Sequence, residues 1–179
     1  LQLKTGATVF LPLCGKTLDI AWLLNQGFKV VGIELNETAV EQLFKQLNVA
    51  PDITVVNKLT LYSANNIRIY IGDFFKLTQK SLGPVDAIYD RAALVALDKK
   101  QREEYSQHLV SISQNAKQLL IGFDYNQECM RGPPFAISDS EVGEHYQQHY
   151  QVQKLESINV SGGLKGKTEA VETVWLLYT

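Results

Sequence analysis

The chain has 179 residues, 45% hydrophobic and 20% charged, which suits one globular domain with a sizeable buried core. Its 17 basic and 19 acidic side chains leave a formal charge of −2, a balance that recruits neither nucleic acid nor an anionic membrane surface. Cys14 and Cys129 form no C-x-x-C pair, no apolar run reaches the length of a membrane span, and Leu1-Gln2-Leu3-Lys4 has no secretory apolar region, so a reducing, cytoplasmic setting is expected.

Val9-Phe10-Leu11 reads as an apolar strand and Pro12-Leu13-Cys14-Gly15-Lys16-Thr17 as a tight turn. An amphipathic helix follows, then a second strand over residues 29–33 that ends in Glu34. In doubly wound folds the turn after the first strand needs a glycine so that backbone can approach a ligand, and an acid about 20 residues further on binds ribose hydroxyls. Gly15 and Glu34 have that relationship. A carboxylate accepts from a diol and repels a 2′-phosphate, so the cofactor should carry free 2′ and 3′ hydroxyls. Gly15-Lys16-Thr17 imitates the end of a Walker A loop, but five places before Gly15 stands Phe10, and the G-x-G-x-x-G fingerprint is also missing. A single-glycine turn suits a ligand without a pyrophosphate, and S-adenosyl-L-methionine, a nucleoside with an amino-acid tail, fits.

Further on, Val40, Leu43, Phe44 and Leu47 share a helical face, with Asn36 as N-cap. Residues 59–63 and 67–71 flank Ala64-Asn65-Asn66 as a hairpin whose second arm joins the main sheet. Residues 85–89 form the fourth main strand, 99–115 a helix burying Tyr105, Leu109 and Ile112, and 118–123 the fifth strand. Ser138 and Glu141 are spaced as a capping box. Residues 150–158 and 171–178, around Gly162, Gly163 and Gly166, suggest a closing antiparallel pair. The alternation of strands and helices implies an α/β chain with a mostly parallel central sheet flanked by helices.

Five blocks in register, Val9 through Lys16, Val30-Val31-Gly32-Ile33-Glu34-Leu35, Gly72-Asp73-Phe74-Phe75, Tyr89-Asp90-Arg91-Ala92-Ala93-Leu94 and Gly132-Pro133-Pro134-Phe135, closely resemble the thiopurine S-methyltransferase family across nearly the whole chain. The resemblance implies a Rossmann-like class I methyltransferase fold with a C-terminal antiparallel strand pair, and a single domain over residues 1–179. It further implies S-adenosyl-L-methionine as donor, S-adenosyl-L-homocysteine as product, and transfer to the sulfur of thiopurines or other aromatic or heterocyclic thiols. A monomer acting on a small-molecule thiol, without metal, is expected. Because relatives on the scaffold methylate halide, thiocyanate, or selenium and tellurium species, a methyltransferase acting on one of these is the alternative activity. A non-catalytic S-adenosylmethionine-binding module and an NAD-linked oxidoreductase compete with methyl transfer, the latter disfavoured by the absent second and third glycines. Family members carry several tens of residues before the first strand, with tryptophans that close over adenine, so this chain, which opens near that strand without Met, reads as a fragment lacking the N-terminal lid.

Ligands in such sheets lie beyond the carboxyl ends of the strands. Leu13 and Gly15 would offer backbone to the methionine portion, unless Gly15 merely serves its turn. Glu34 would take the ribose, Asp73 the adenine amino group, and Phe74 would cover the ring or simply pack in the core. The resemblance implies that Arg91 contacts the cofactor region close to the acceptor, where a permanent cation steadies a thiolate; a loop-shaping pair with Asp90 is the competing role. Asp90 and Asp124 could accept a proton or be structural. Asp124, Tyr125, Pro134 and Phe135 are the expected acceptor contacts. Lys16 reads as a solvated charge and Cys14 as a small packing residue. His145 and His149, one turn apart beyond Glu141, could clasp a metal, but their ring edges are expected to face solvent.

Overall fold

A computed structural model describes residues 1–91 and 93–179; Ala92, within the fourth resemblance block, lies outside the described residues. Two units form, Gln2–Tyr89 and Asp90–Thr179 with Leu1.

The first unit runs β1 (Thr8–Leu11), α1 (Leu18–Asn25), β2 (Lys29–Glu34), α2 (Glu37–Gln46), β3 (Asp52–Val56), β4 (Leu59–Ala64), β5 (Ile67–Ile71), α3 (Gln79–Leu82) and β6 (Ala87–Asp90), the last residue of which, Asp90, is counted with the second unit. Its strands lie in the order β3-β4-β5-β2-β1-β6. β2 pairs in parallel with β1 and β5, and β1 with β6, while β3, β4 and β5 pair antiparallel. The fourth main strand therefore begins at Ala87 rather than at residue 85. Strands buried on both faces are apolar throughout, as Val9, Phe10, Leu11, Val30, Val31 and Ile33 are here, all buried. The apolar stripe of α2, Val40, Leu43 and Phe44, joins Ile20 and Leu23 of α1 and Ile67 and Ile69 of β5 in one core. Asn36 Oδ1 caps α2 by accepting from Ala39 N (3.2 Å).

β3 is an addition to the expected elements. Its first four side chains are exposed, so no alternation of buried and polar positions marks it as a strand. The remaining signal is the β-branched run Ile53-Thr54-Val55-Val56 ahead of a turn in which Asn57 adopts φ +57°.

The second unit contains α4 (Lys99–Ser113), β7 (Gln118–Tyr125), α5 (Asp139–Tyr146), β8 (Gln151–Asn159) and β9 (Ala170–Tyr178). β9 pairs antiparallel with both β7 and β8, so the expected closing pair is part of a three-stranded set, and β7 extends through Tyr125. Tyr105, Leu109 and Ile112 of α4 are buried as expected, and the helix stops at Ser113 because Gln114 turns left-handed (φ +54°). Only half of the capping box forms: Ser138 Oγ accepts from Glu141 N (3.2 Å), whereas the Glu141 carboxylate takes the Arg102 Nε (2.7 Å).

Glycine is required at one strand position above all. A Cβ on Gly32 would lie 2.8 Å from Cys14 Sγ and 2.8 Å from Ile69 Cδ1, because the turn after β1 folds directly onto β2. Gly32→Ala should therefore lower stability by about 1–3 kcal/mol, read as a reduced urea midpoint; an unchanged midpoint contradicts this packing.

Candidate active site

Parallel registers bring the carboxyl ends of three strands to one edge of the first unit: Leu11 lies opposite Gly32, and Glu34 opposite Ile71. The chain leaves β1 toward β2 and later returns to β6 on the other side of β1, a reversal of strand order of the kind beside which ligands bind. Here Cys14 N donates to Ile33 O (3.0 Å) and Gly15 N donates to Glu34 Oε2 (2.7 Å). Asn36 N donates to Glu34 Oε1 (2.9 Å). Each carboxylate oxygen thus holds one backbone N–H and keeps lone-pair capacity for a further donor. Leu13 and Gly15 both sit at positive φ (+46° and +54°), and a Cβ built on Gly15 meets nothing within 4 Å, so the turn presents bare backbone to open space. Cys14 is buried below, its thiol pushed up to about 12 by burial and then by the Glu34 charge, which makes it a packing residue and no nucleophile. Lys16 Nζ donates to Gln42 Oε1 (2.6 Å) on the exposed side.

Gly72 N donates to Glu34 O (2.9 Å), carrying Asp73 to the same edge. Asp73 Oδ1 caps a short 3-10 turn through Phe75 N (2.9 Å). Phe74 is buried and meets the exposed Phe75 ring edge-on at 5.5 Å between centroids. One cluster escaped the sequence reading: Asp19 Oδ2 accepts from Thr17 Oγ1 (3.1 Å) and from the Tyr89 hydroxyl (3.2 Å), tying the start of α1 to the end of β6. The Thr17-x-Asp19 spacing at a helix start was its only local trace.

In the second unit Asp90 is fully buried and accepts from Ala93 N (3.1 Å), Leu94 N (3.3 Å) and the Tyr105 hydroxyl (2.6 Å). Burial raises its carboxyl to about 6 against the pull of those donors. Arg91 follows with an exposed side chain. Asp124 is exposed at the end of β7, in a groove of about 680 Å³ that also includes Asn159, Lys167 and Glu169. Tyr125 is buried with its hydroxyl donating to Pro134 O (2.6 Å). The half-buried Phe135 ring lies 5.9 Å from the Arg102 guanidinium. His145 does not face solvent as expected: its Nε2 lies 3.4 Å from Glu141 Oε1 and its Nδ1 3.4 Å from Ser106 Oγ, because α5 packs on α4 along that face. His149 is exposed.

The description Thiopurine S-methyltransferase (TPMT) belongs to the family profile that matches residues 1–176. The chain is also 51% identical over 177 residues to a thiopurine S-methyltransferase of Xanthobacter autotrophicus, covering 99% of this chain and 83% of that one. It belongs to the thiopurine S-methyltransferase family. Among solved structures it is similar to a SAM-dependent methyltransferase from Methanosarcina mazei (TM-score 0.73, 13% identity, 98% of this chain and 94% of the other). It is similar as well to the Burkholderia thailandensis 1,6-didemethyltoxoflavin-N1-methyltransferase, solved with S-adenosylhomocysteine (TM-score 0.63, 14% identity, 98% and 72% covered). These likenesses show the Rossmann-like methyltransferase fold, with a parallel centre and antiparallel C-terminal strands.

Asp90 makes this family member's stability pH-dependent in a defined direction. Its native carboxyl ionises near 6 and its unfolded one near 3.8, so the neutral acid stabilises the fold fully below the lower value and the contribution is lost as pH rises through about 6. Asp90→Asn removes this titration. Between pH 7 and pH 5 the stability gap between wild type and variant should shift in favour of wild type in urea melts; a constant gap contradicts the assignment.

Proposed function

We infer that the protein is an S-adenosyl-L-methionine-dependent S-methyltransferase that methylates the sulfur of thiopurines or other aromatic or heterocyclic thiols and releases S-adenosyl-L-homocysteine. The observation that carries this reading is the Glu34 carboxylate, held by the N–H groups of Gly15 and Asn36 at the mouth of an open glycine turn, in a chain of this family. The donor supplies a methyl group made electrophilic by its attachment to a sulfonium.

The fit is chemical. Two oxygens, each already oriented by a backbone N–H, accept the two ribose hydroxyls. The space above Gly15 and the left-handed Leu13 admits an amino-acid tail, whose approach a side chain at position 15 would block. Asp73 receives the adenine amino group, and Phe74, with Phe75 beside it, forms the apolar wall. Arg91 places a permanent cation by the acceptor and favours its thiolate, and Asp124, Tyr125, Pro134 and Phe135 bound the acceptor. The chain's main task is alignment, which is worth roughly 7–11 kcal/mol in favourable cases.

Residues 1–179 work as one catalytic domain, a reading supported by the family match over residues 1–176. Its two free cysteines favour a reducing, cytoplasmic setting, in which the chain acts as a monomer on a small molecule. Among the described residues no helix is long and apolar enough to cross a membrane.

Calorimetry with S-adenosylmethionine and S-adenosylhomocysteine, followed by a methyl-transfer assay on 6-mercaptopurine, tests the function; binding without turnover on any thiol would instead support a binding module. Glu34→Ala should weaken cofactor binding by about 10- to 100-fold, the loss of two charge-assisted hydrogen bonds, with the circular dichroism spectrum retained. Unchanged affinity contradicts the ribose role. Arg91→Met should depress turnover more than S-adenosylhomocysteine affinity, and an equal loss in both would place the cation on the cofactor.

A further inference from the structure

The segment between β7 and α5 owes its shape to hydrogen bonds that converge on one side-chain amide. Asn126 Oδ1 caps the 3-10 turn Gln127–Cys129 by accepting from Glu128 N (3.1 Å), which fixes Gln127 at the base of the loop. Gln127 Nε2 donates to Met130 O (2.5 Å) and to the Tyr125 hydroxyl oxygen (3.0 Å), and Gln127 Oε1 accepts from Ala136 N (2.8 Å). A single carboxamide therefore binds both ends of the loop over residues 130–136. Through Tyr125 it also reaches the middle, since that hydroxyl donates onward to Pro134 O (2.6 Å). Two further ties are Phe135 N to Val95 O (2.6 Å) and Lys165 Nζ to Pro133 O (2.8 Å). Tyr125, Met130, Leu164 and Ala170 pack together as a small apolar cluster against Phe123, Ala136 and Val160.

We propose that Gln127 is the positioning residue of the acceptor wall: its carboxamide closes the 130–136 loop and, relayed by Tyr125, sets the position of Pro134 and Phe135. The proposal rests on the assignment of Pro134 and Phe135 as acceptor contacts. Only an amide meets the demand at this point. Met130 O and the Tyr125 oxygen need donors while Ala136 N needs an acceptor; a carboxylate has no hydrogen to give, and asparagine is one methylene shorter. Tyr125, with its hydroxyl engaged at both lone pair and proton, acts as a strut between Gln127 and Pro134. A wall displaced by even about 1 Å compromises the alignment on which an in-line transfer depends.

The test compares wild type, Gln127→Leu, the near-isosteric Gln127→Glu and Tyr125→Phe, which cuts the relay while leaving Gln127 in place. Steady-state methylation of 6-mercaptopurine at saturating S-adenosylmethionine should show the thiol KM raised roughly tenfold in each variant, with S-adenosylhomocysteine affinity by calorimetry within twofold of wild type. Amide exchange at Phe135 and Ala136 should accelerate in both Gln127 variants. A wild-type thiol KM in the variants of an active enzyme overturns the role of Gln127. So does a parallel loss of KM, kcat and S-adenosylhomocysteine affinity, which marks general destabilisation. A wild type that binds S-adenosylhomocysteine but methylates no thiol overturns the acceptor assignment and the proposal together, and is told apart by appearing before any substitution is made.

Discussion

The bond from Gly15 N–H to the Glu34 carboxylate, 2.7 Å long, is the constraint on which the joint between the turn after β1 and the end of β2 depends. It closes a ring of chain whose covalent part is the turn, α1 and β2, and it does so at the point where β1 and β2 have run parallel from Thr8↔Lys29 to Leu11↔Gly32. The geometry is demanding on each neighbour. Leu13 must accept a left-handed conformation that costs a side-chain-bearing residue about 1–2 kcal/mol, and Gly32 must lack a side chain so that Cys14 can lie against it. A second tie, Cys14 N to Ile33 O, shares the load, so backbone rather than side-chain packing fixes the distance between the glycine and the acid. Glu34 is thereby pre-oriented: both oxygens already point where backbone N–H groups hold them, and little rotamer freedom is left to lose when a ligand arrives.

This local design explains what could be read from the sequence. Strands β1 and β2 announce themselves as continuous apolar runs because they are buried on both faces, and α2 through a stripe that the core then covers. The glycine turn and the acid were visible because their spacing is imposed by one helix and one strand, and the five family blocks supplied the rest. Other features left weaker traces. β3 turns most of its side chains to solvent, so its pairing is written in backbone hydrogen bonds that no hydrophobic pattern reports. Glu141 had the spacing of a capping box, yet a buried Arg102 offered its carboxylate a stronger partner than a helix-terminal N–H. His145 turns inward beside that pair, with its Nε2 near Glu141 Oε1 and its Nδ1 near Ser106 Oγ. Each outcome involves a partner on α4, 39 positions away in sequence, Arg102 for Glu141 and Ser106 for His145, beyond the reach of a local pattern.

The loop over residues 130–136 illustrates a further limit. Gly132-Pro133-Pro134-Phe135 stands out in the sequence as one of the five family blocks, but the composition of a block does not say where it sits. Its placement comes from Gln127, Tyr125 and Val95, residues with no distinguishing composition, acting through backbone carbonyls and N–H groups. Gly132 contributes by what it lacks: a Cβ there would lie 2.6 Å from the Phe135 Cδ1, so the ring closes down onto the bare backbone. The turn at Gly15 and the loop over residues 130–136 are thus built alike. In each, a glycine allows close approach and a single polar side chain, Glu34 or Gln127, gathers backbone donors or acceptors around itself.

The distribution of perturbed acids and thiols fits a reaction that needs alignment more than proton transfer. Asp90, with its carboxyl at about 6, has the titration of a general base, yet the group is fully buried and its oxygens are taken by Tyr105, Ala93 and Leu94. Its raised value reports desolvation rather than a task in catalysis, and a perturbed pKa alone is a poor guide where structural burial explains it. Cys14 is perturbed in the same way and for the same first reason. Thiols attached to aromatic heterocycles ionise near neutrality, so under the proposed function the nucleophile arrives partly as its anion. What such a thiolate requires is a cation nearby and walls that hold it in line. Under the proposed function the cation is Arg91, exposed immediately after the buried Asp90, on backbone that Asp90 itself fastens to Tyr105.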